Sequence, residues 1–234
     1  MPLRIIPRRD RKVNRLVKRA TAVRYRRSQV IFSRGEASEA VYLLREGHVR
    51  LSLPAGGRRP RRTVAVVAPW ELFGEEALGG TPRRYDAVAG EACTVLPLSG
   101  HGMVQALRGS PKTLAVFLAS AEEDLAEARE VARASTSTTK ARIARVLLAL
   151  ADRFGTEEGK RIRIDHWFTH QEIADLARAH RSTVTTALND WIYEKVLREE
   201  PRAIVITRPG ALRKATKAGH LAGVRSVDPK KGQR

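Results

Sequence analysis

Residues 169–188 read THQEIADLARAHRSTVTTAL, and the fold turns on how this stretch is read. Thr169 and Glu172 have the spacing of a capping box. In that motif the hydroxyl accepts from the Glu172 N–H and the carboxylate reaches back to the Thr169 N–H. Ile173, Leu176 and Ala177 follow at helical spacing. A second helix over Arg181 to Leu188 places Val184, Ala187 and Leu188 on one side and leaves Arg181, Ser182, Thr185 and Thr186 on the other. Two short helices about a tight turn, the second showing hydroxyls and a guanidinium from its first turns, suit a helix-turn-helix entering a major groove of double-stranded DNA. A helical hairpin in any small bundle gives the same apolar spacing, so the flanking chain has to separate the two readings.

Downstream, VLREEPRAIVITRP (196–209) has two strand-like runs about a polar turn at Pro201, the pattern of a wing. Upstream, Ile143, Val146, Leu147, Leu150, Ala151 and Phe154 fall on one helical face. RFGTEEG (153–159) then reads as a loop and RIRIDHWF (161–168) as a short strand. Helix, strand, helical hairpin and wing predict a winged helix-turn-helix over residues 139–208. Residues 209–234, rich in Gly, Lys and Ala, read as a basic mobile tail.

Residues 111–138 read as one long helix with Pro111 in its first turn. Leu114, Leu118, Ala121, Leu125, Ala128, Ala132, Ser135 and Thr139 recur in alternating steps of four and three. That is a heptad seam, suited to a parallel coiled coil with a second copy of the chain. The same apolar residues suit packing against the chain's own β domain, and the first half of the helix can serve both. STSTT (135–139) is a poor helix former and reads as a hinge.

The stretch from Arg27 to Leu98 is β-like, with Val41 to Leu44 and Val49 to Leu53 as strands about a turn at Gly47. Regularly spaced short strands predict a small barrel or sandwich within residues 1–110. The basic N-terminal extension would be anchored by Val13, Leu16 and Val17, and RRPRR (58–62) would form a solvated hairpin tip. FGEEAL (73–78) reads as a turn opening a one-turn helix. Gly74, Glu75 and Glu76, with Arg83 and Arg84, have the groups for a phosphorylated-ribose pocket. Backbone N–H groups would take an anion, a carboxylate would accept from a sugar hydroxyl, and an Arg would pair with phosphate. A surface turn beside a solvated Arg pair is the alternative. Cys93, in the apolar run ACTVLPL, reads as a core residue.

The 234 residues carry a net charge of +19, with +10 in residues 1–27, +6 in residues 209–234 and +3 between. Basic ends attract nucleic acid phosphates without regard to sequence, or serve only solubility. A single cysteine excludes an intramolecular disulfide framework and a cysteine-ligated zinc or iron–sulfur site within one subunit. No apolar run approaches the ~20 residues of a membrane span, and the N-terminus lacks the apolar core of a secretory signal. A cytoplasmic, non-membrane protein is expected. No nucleophile–base pair, metal constellation or phosphate-binding loop is present, so neither catalytic nor metal-ligating residues are assigned.

Taken in order, the pattern G-E…VYLLREGHVRL, the FGE turn, the long helix, and QEIADLARAHRSTVTTAL before a wing resemble the Crp/Fnr family of bacterial transcription regulators, the cyclic AMP receptor protein type. The resemblance spans roughly residues 20–208. It implies an α+β protein with an N-terminal β-roll (a cyclic-nucleotide-binding-like jelly roll), a long dimerisation helix and a C-terminal winged helix-turn-helix. It further implies a sequence-specific DNA-binding homodimer on a near-palindromic site, with RNA polymerase as a further partner. Arg181 matches the family's guanine-contacting Arg and Thr183 a phosphate-contacting hydroxyl, and Thr169, His170, Gln171 and Arg202 complete the implied DNA face. Ser182 stands where the family often has Glu, and Thr186 where many members have Arg. Arg178 stands where the turn often has Gly, and a left-handed residue with a Cβ costs about 1 kcal/mol.

On the effector side Gly74-Glu75 and Arg83-Arg84 match the members that bind cyclic AMP, but Tyr85-Asp86 follow without the expected Ser. Glu127-Ala128 replace a Thr-Ser pair on the long helix. The resemblance therefore implies weak or absent dependence on cyclic AMP. A regulatory subunit that binds a cyclic nucleotide and acts on a partner protein is the competing function, and it leaves residues 139–208 without a role.

Overall fold

The computed structural model describes residues 11–54, 61–133, 137–165 and 168–217. Period-two alternation builds its first half. Strands β1 (Val23–Tyr25), β2 (Val30–Phe32), β3 (Ala40–Glu46), β4 (Val49–Leu53), β5 (Arg62–Val67), β6 (Leu72–Phe73), β7 (Asp86–Ala89) and β8 (Cys93–Ser99) form two four-stranded antiparallel sheets. Their orders are β1-β8-β3-β6 and β2-β7-β4-β5. Leu44, Phe73 and Val95 of one sheet meet Phe32, Val49, Leu51 and Val67 of the other in a closed core. The alternate residues Val41, Leu43, Leu96 and Leu98 turn the opposite way. They bury Val13 of α1 (Arg11–Arg19) and Met103 and Ala106 of α3 (Gly100–Arg108), with Leu16 and Val17 packed alongside. Burying each such aliphatic side chain contributes roughly 1.5–3 kcal/mol. The turn between β3 and β4 needs Gly47, whose φ is +77°. A Cβ there would lie 2.5 Å from the Ala92 carbonyl.

Cys93 lies inside this roll, and burial pushes its thiol up to about 11. A short helix α2 (Glu76–Gly79) follows the Gly74 turn. The long helix α4 (Pro111–Arg133) turns Thr113, Phe117 and Ser120 inward, Phe117 packing on the helix-side core.

Thr138 caps α5 (Thr139–Phe154) by accepting from the Ala141 N–H at 3.3 Å. Then come β9 (Gly155–Glu158), β10 (Arg161–Ile164), α6 (His170–Ala177), α7 (Arg181–Tyr193), β11 (Leu197–Glu200), β12 (Ala203–Ile206) and α8 (Pro209–Lys217). The strands form a sheet in the order β11-β12-β10-β9. The run 153–159 is therefore not a loop: its Gly155–Glu158 segment pairs antiparallel with β10, from Gly155 against Ile164 to Glu158 against Arg161. GTEE is polar because an edge strand facing solvent has no apolar face to advertise. The tail expected over 209–234 also needs correction, because Pro209–Lys217 is helical and packs Leu212, fully buried, with Ala211 and Ala215 against the core around α5. Residues 218–234 lie outside the described residues, as do 58–60 of the RRPRR tip, 135 and 136 of the hinge, and His166 and Trp167.

One apolar cluster crosses from the roll into the C-terminal half. Val66 and Ala68 belong to the same buried group as Ile143, Leu147, Phe154, Ile173 and Trp191. Polar contacts frame it. Arg153 Nε donates to Glu71 Oε1 at 3.0 Å, and its Nη2 reaches Glu71 Oε2 and the Val66 carbonyl. Glu71 Oε2 also accepts from the Ala68 N–H at 2.8 Å. Arg50 pairs with Glu172 at 3.2 Å, and the Thr63 N–H donates to Asp175 at 2.8 Å. His48 is fully buried beside the Phe168 ring, 4.8 Å between centroids. Gly90 leaves room for it, since a Cβ would fall 1.9 Å from His48 Nε2.

Arg178 closes α6 in the left-handed region, at φ 51° and ψ 51°. Its side chain is exposed. Replacing it with Gly removes the Cβ penalty and leaves the backbone bonds in place. Arg178→Gly should raise stability by about 1 kcal/mol, read as a higher urea midpoint at unchanged slope. Arg153→Ala leaves Glu71 buried without its cation and should cost about 3 kcal/mol. The paired change Glu71→Gln with Arg153→Met should recover most of that loss in the same denaturation.

Candidate DNA-binding face and effector pocket

The capping box forms as the sequence specifies. Thr169 Oγ1 accepts from the Glu172 N–H at 3.2 Å, and the Thr169 N–H donates to Glu172 Oε2 at 2.6 Å. The box fixes the start of α6, with Thr169 and His170 half-buried and Gln171 exposed. Gln171 donates to Asp175 Oδ1 at 2.8 Å, a pairing one turn along the helix. In α7, Val184, Ala187, Leu188 and Trp191 are buried, which leaves Arg181, Ser182, Thr183 and Thr186 exposed on the opposite face. Thr185 and Thr186 donate to the Arg181 and Ser182 carbonyls, both at 3.1 Å. Each hydroxyl is thus held by the backbone one turn earlier.

Arg142 braces this hairpin from below. Its Nε donates to the Ala177 carbonyl at 2.9 Å and Nη1 to the Ser137 carbonyl at 2.9 Å. Nη2 bonds Thr139 Oγ1 and the Arg178 carbonyl, each at 3.2 Å. One guanidinium therefore satisfies the carbonyls that end α6 and ties them to the start of α5.

The wing lies alongside. Thr169, His170, Arg181 and Arg202 line one surface hollow of about 370 Å³, together with Glu199 and Glu200. Arg202 sits between β11 and β12 in the left-handed region, φ 63°. Residues predicted separately from three segments are thus brought to one face. Glu199 is the member that sequence reading missed. Its carboxylate lies 3.2 Å from His170 Nε2, while His170 Nδ1 lies 2.9 Å from Thr185 Oγ1. No local pattern marks a contact across 29 residues. Glu200 is held below the usual carboxylate range, first by the hydrogen bond from Arg163.

The Gly74–Glu76 turn and the Arg pair also meet, but not as an open pocket. Arg83 is 3% exposed. Its Nη1 donates to the Gly74 carbonyl at 2.8 Å and Nη2 to the Ala40 carbonyl at 2.6 Å. Glu76 Oε2 lies 3.6 Å away, and the Phe32 ring stacks 4.2 Å beneath the guanidinium. Gly74, at φ +76°, makes the approach possible: a Cβ would sit 2.5 Å from Arg83 Nη1. The alternative of a solvated Arg pair fails for Arg83 and holds for Arg84, which is exposed. Its backbone N–H donates to Glu76 Oε1 at 3.1 Å. Burial raises the Glu75 carboxyl above its ordinary range.

On α4 the seam residues Leu114, Leu118 and Leu125 are 39%, 58% and 49% exposed, and Ala121 is exposed with them. Ala128 and Ala132 fall outside the described side chains. No helix among the described residues is long and apolar enough to cross a membrane.

The chain matches two family models, a cyclic nucleotide-binding domain over residues 22–110 and a Crp-like helix-turn-helix domain over residues 141–215. It is 35% identical to the transcriptional regulator LdrP of Thermus thermophilus, over 81% of this chain and 93% of that one. It is 27% identical to a CRP-like cAMP-activated global transcriptional regulator of Mycobacterium tuberculosis, over 82% and 86%. A solved transcriptional regulator of the CRP family, also from Thermus thermophilus, superposes with a TM-score of 0.66 at 29% identity, covering 83% of this chain and 96% of that one. A β-roll with a buried Gly-Glu/Arg turn, followed by a winged helix-turn-helix, thus agrees with the two family models in the order in which they match, and the chain belongs to the Crp/Fnr family of DNA-binding transcription regulators.

Proposed function

We propose that the chain acts as a cytoplasmic homodimer that reads a near-palindromic DNA site with weak or no dependence on cyclic AMP, and that engages RNA polymerase from that site. The observation that carries the DNA reading is the division of α7. Val184, Ala187 and Leu188 are buried, and Arg181, Ser182, Thr183 and Thr186 stand free of the core on the outer face. Arg181 is the base-reading residue in this proposal, because its planar fork suits the O6 and N7 of guanine. Thr169, His170, Gln171, Thr183, Thr185 and Arg202 position the module on the backbone.

The dimer reading is supported by α4. Thr113, Phe117 and Ser120 face the chain's own roll, so Leu114, Leu118 and Leu125 are left on a different stripe. Exposed leucines at heptad spacing gain from a second helix. Two-fold symmetry then sets two recognition helices into successive major grooves.

Weak cyclic AMP dependence is supported by Arg83. One relative is described as cAMP-activated, but in this chain the guanidinium that would pair with a cyclic phosphate already bonds two carbonyls and lies beside Glu76. A phosphate must displace or share these partners, which costs affinity.

Two measurements test the proposal. Arg181→Ala should lower affinity for a selected site by about 1–3 kcal/mol and leave affinity for random duplex nearly unchanged in fluorescence anisotropy. Equal loss on both duplexes would contradict the base-reading role. Micromolar cyclic AMP should raise specific affinity by less than about tenfold, and a larger rise would refute the effector reading.

A further inference from the structure

His170 touches both other parts of the proposed DNA face. Its Nε2 lies 3.2 Å from Glu199 Oε1 on the wing, and its Nδ1 lies 2.9 Å from Thr185 Oγ1 on the recognition helix. Thr185 Oγ1 in turn donates to the Arg181 carbonyl at 3.1 Å.

The protons in this chain of contacts can be counted. A neutral imidazole has one N–H and one lone pair. If the proton is on Nε2, it serves Glu199, and Nδ1 must then accept from Thr185. The Thr185 hydroxyl has a single proton, so its bond to the Arg181 carbonyl is lost. If the proton is on Nδ1, Thr185 keeps that carbonyl, but the Nε2 lone pair faces the Glu199 carboxylate. With Glu199 ionised, only the imidazolium satisfies all three contacts, with Nε2–H donating to Glu199, Nδ1–H to Thr185, and the Thr185 hydroxyl to the Arg181 carbonyl.

The surrounding charges are mixed. Arg181 on α7 and Arg202 at the wing tip line the same hollow and oppose a further cation. The N-terminus of α6 opposes it as well. Glu200 is engaged by Arg163 and Arg198, and Glu172 on His170's own helix is engaged by Arg50. Glu199 is the carboxylate that faces the ring.

We propose that His170 is a positioning residue that works as the imidazolium, tying the wing to the recognition helix, so that specific DNA binding takes up a proton at this position. The proposal rests on the DNA-binding reading above. Phosphates brought to the face favour the same cation that holds Glu199, and that carboxylate is thereby neutralised where it would otherwise repel DNA.

The test uses the full chain and a selected specific duplex, at constant ionic strength, near pH 6 and near pH 8, on either side of the ordinary histidine range. Wild-type affinity should be at least about tenfold higher at the lower pH, which corresponds to an average uptake of about half a proton per bound dimer across the two pH units. His170→Gln should flatten that ratio at least about threefold. His170→Arg supplies a cation that pH cannot remove, and should hold the low-pH affinity at both values. His180, at the start of α7, is retained in every variant compared. If His170→Gln keeps the wild-type pH profile, the proposal is overturned.

A second arm needs no DNA. In thermal unfolding, His170→Gln and Glu199→Gln should be non-additive by about 2 °C near pH 6 and additive near pH 8. Additivity at both values also overturns the proposal. Thermal coupling present while no duplex is bound specifically at any pH supports the tie and refutes the DNA-binding reading.

Discussion

The pairing of Arg153 with Glu71 joins the two halves of the chain. The carboxylate is 5% exposed. It accepts from the Ala68 N–H as well as from the guanidinium, so its charge is met on several sides. Burying two charges is costly, and a pair of this kind contributes little net stability unless the remaining lone pairs are satisfied. Here they are, and the consequence is geometric. The pair fixes Val66 and Ala68 against Phe154 and the α5–α7 core, so one apolar cluster runs continuously from roll to winged helix. Arg50 with Glu172 then anchors the same carboxylate that closes the α6 capping box. The start of the helix-turn-helix is therefore set both by its own sequence and by the face of the roll.

What could be read from the sequence was local. The capping box, the apolar face of α7 and the wing about Pro201 each depend on residues within a few positions of one another, and each forms as expected. The left-handed turn at Arg178 came from the family resemblance, in which Gly often stands at this position, and not from the local residues. What could not be read was long-range or compositional. Arg153 and Glu71 are 82 residues apart, and nothing in either segment names the other. The edge strand Gly155–Glu158 escaped because its side chains are polar and mostly exposed. Helix α8 escaped because Leu212 and two alanines were hidden in a Gly- and Lys-rich run, whose composition resembles that of disordered chain.

The candidate effector pocket was legible in its parts and not in its state. Gly74 and Arg83 do converge, but the carboxylate beside the guanidinium is that of Glu76, not that of Glu75 in the FGE turn. The sequence could not show that Arg83 stacks on Phe32 and reaches the carbonyls of Gly74 and Ala40. That arrangement follows from three-dimensional packing. With Phe32, Tyr42 and Phe73 gathered within 6.0 Å of one another, the roll offers the guanidinium an aromatic bed. A motif residue that would be held ready for a ligand is here part of the core.

The four bonds of Arg142 have a mechanical consequence. The guanidinium spans the carbonyl of Ser137, the first residue of α5 and the last carbonyls of α6. It acts as a cross-brace at the base of the reading head. A planar group with its donors placed on both helices works like a set square: it fixes the angle at which α6 leaves α5, and through the turn at Arg178 the angle at which α7 is presented.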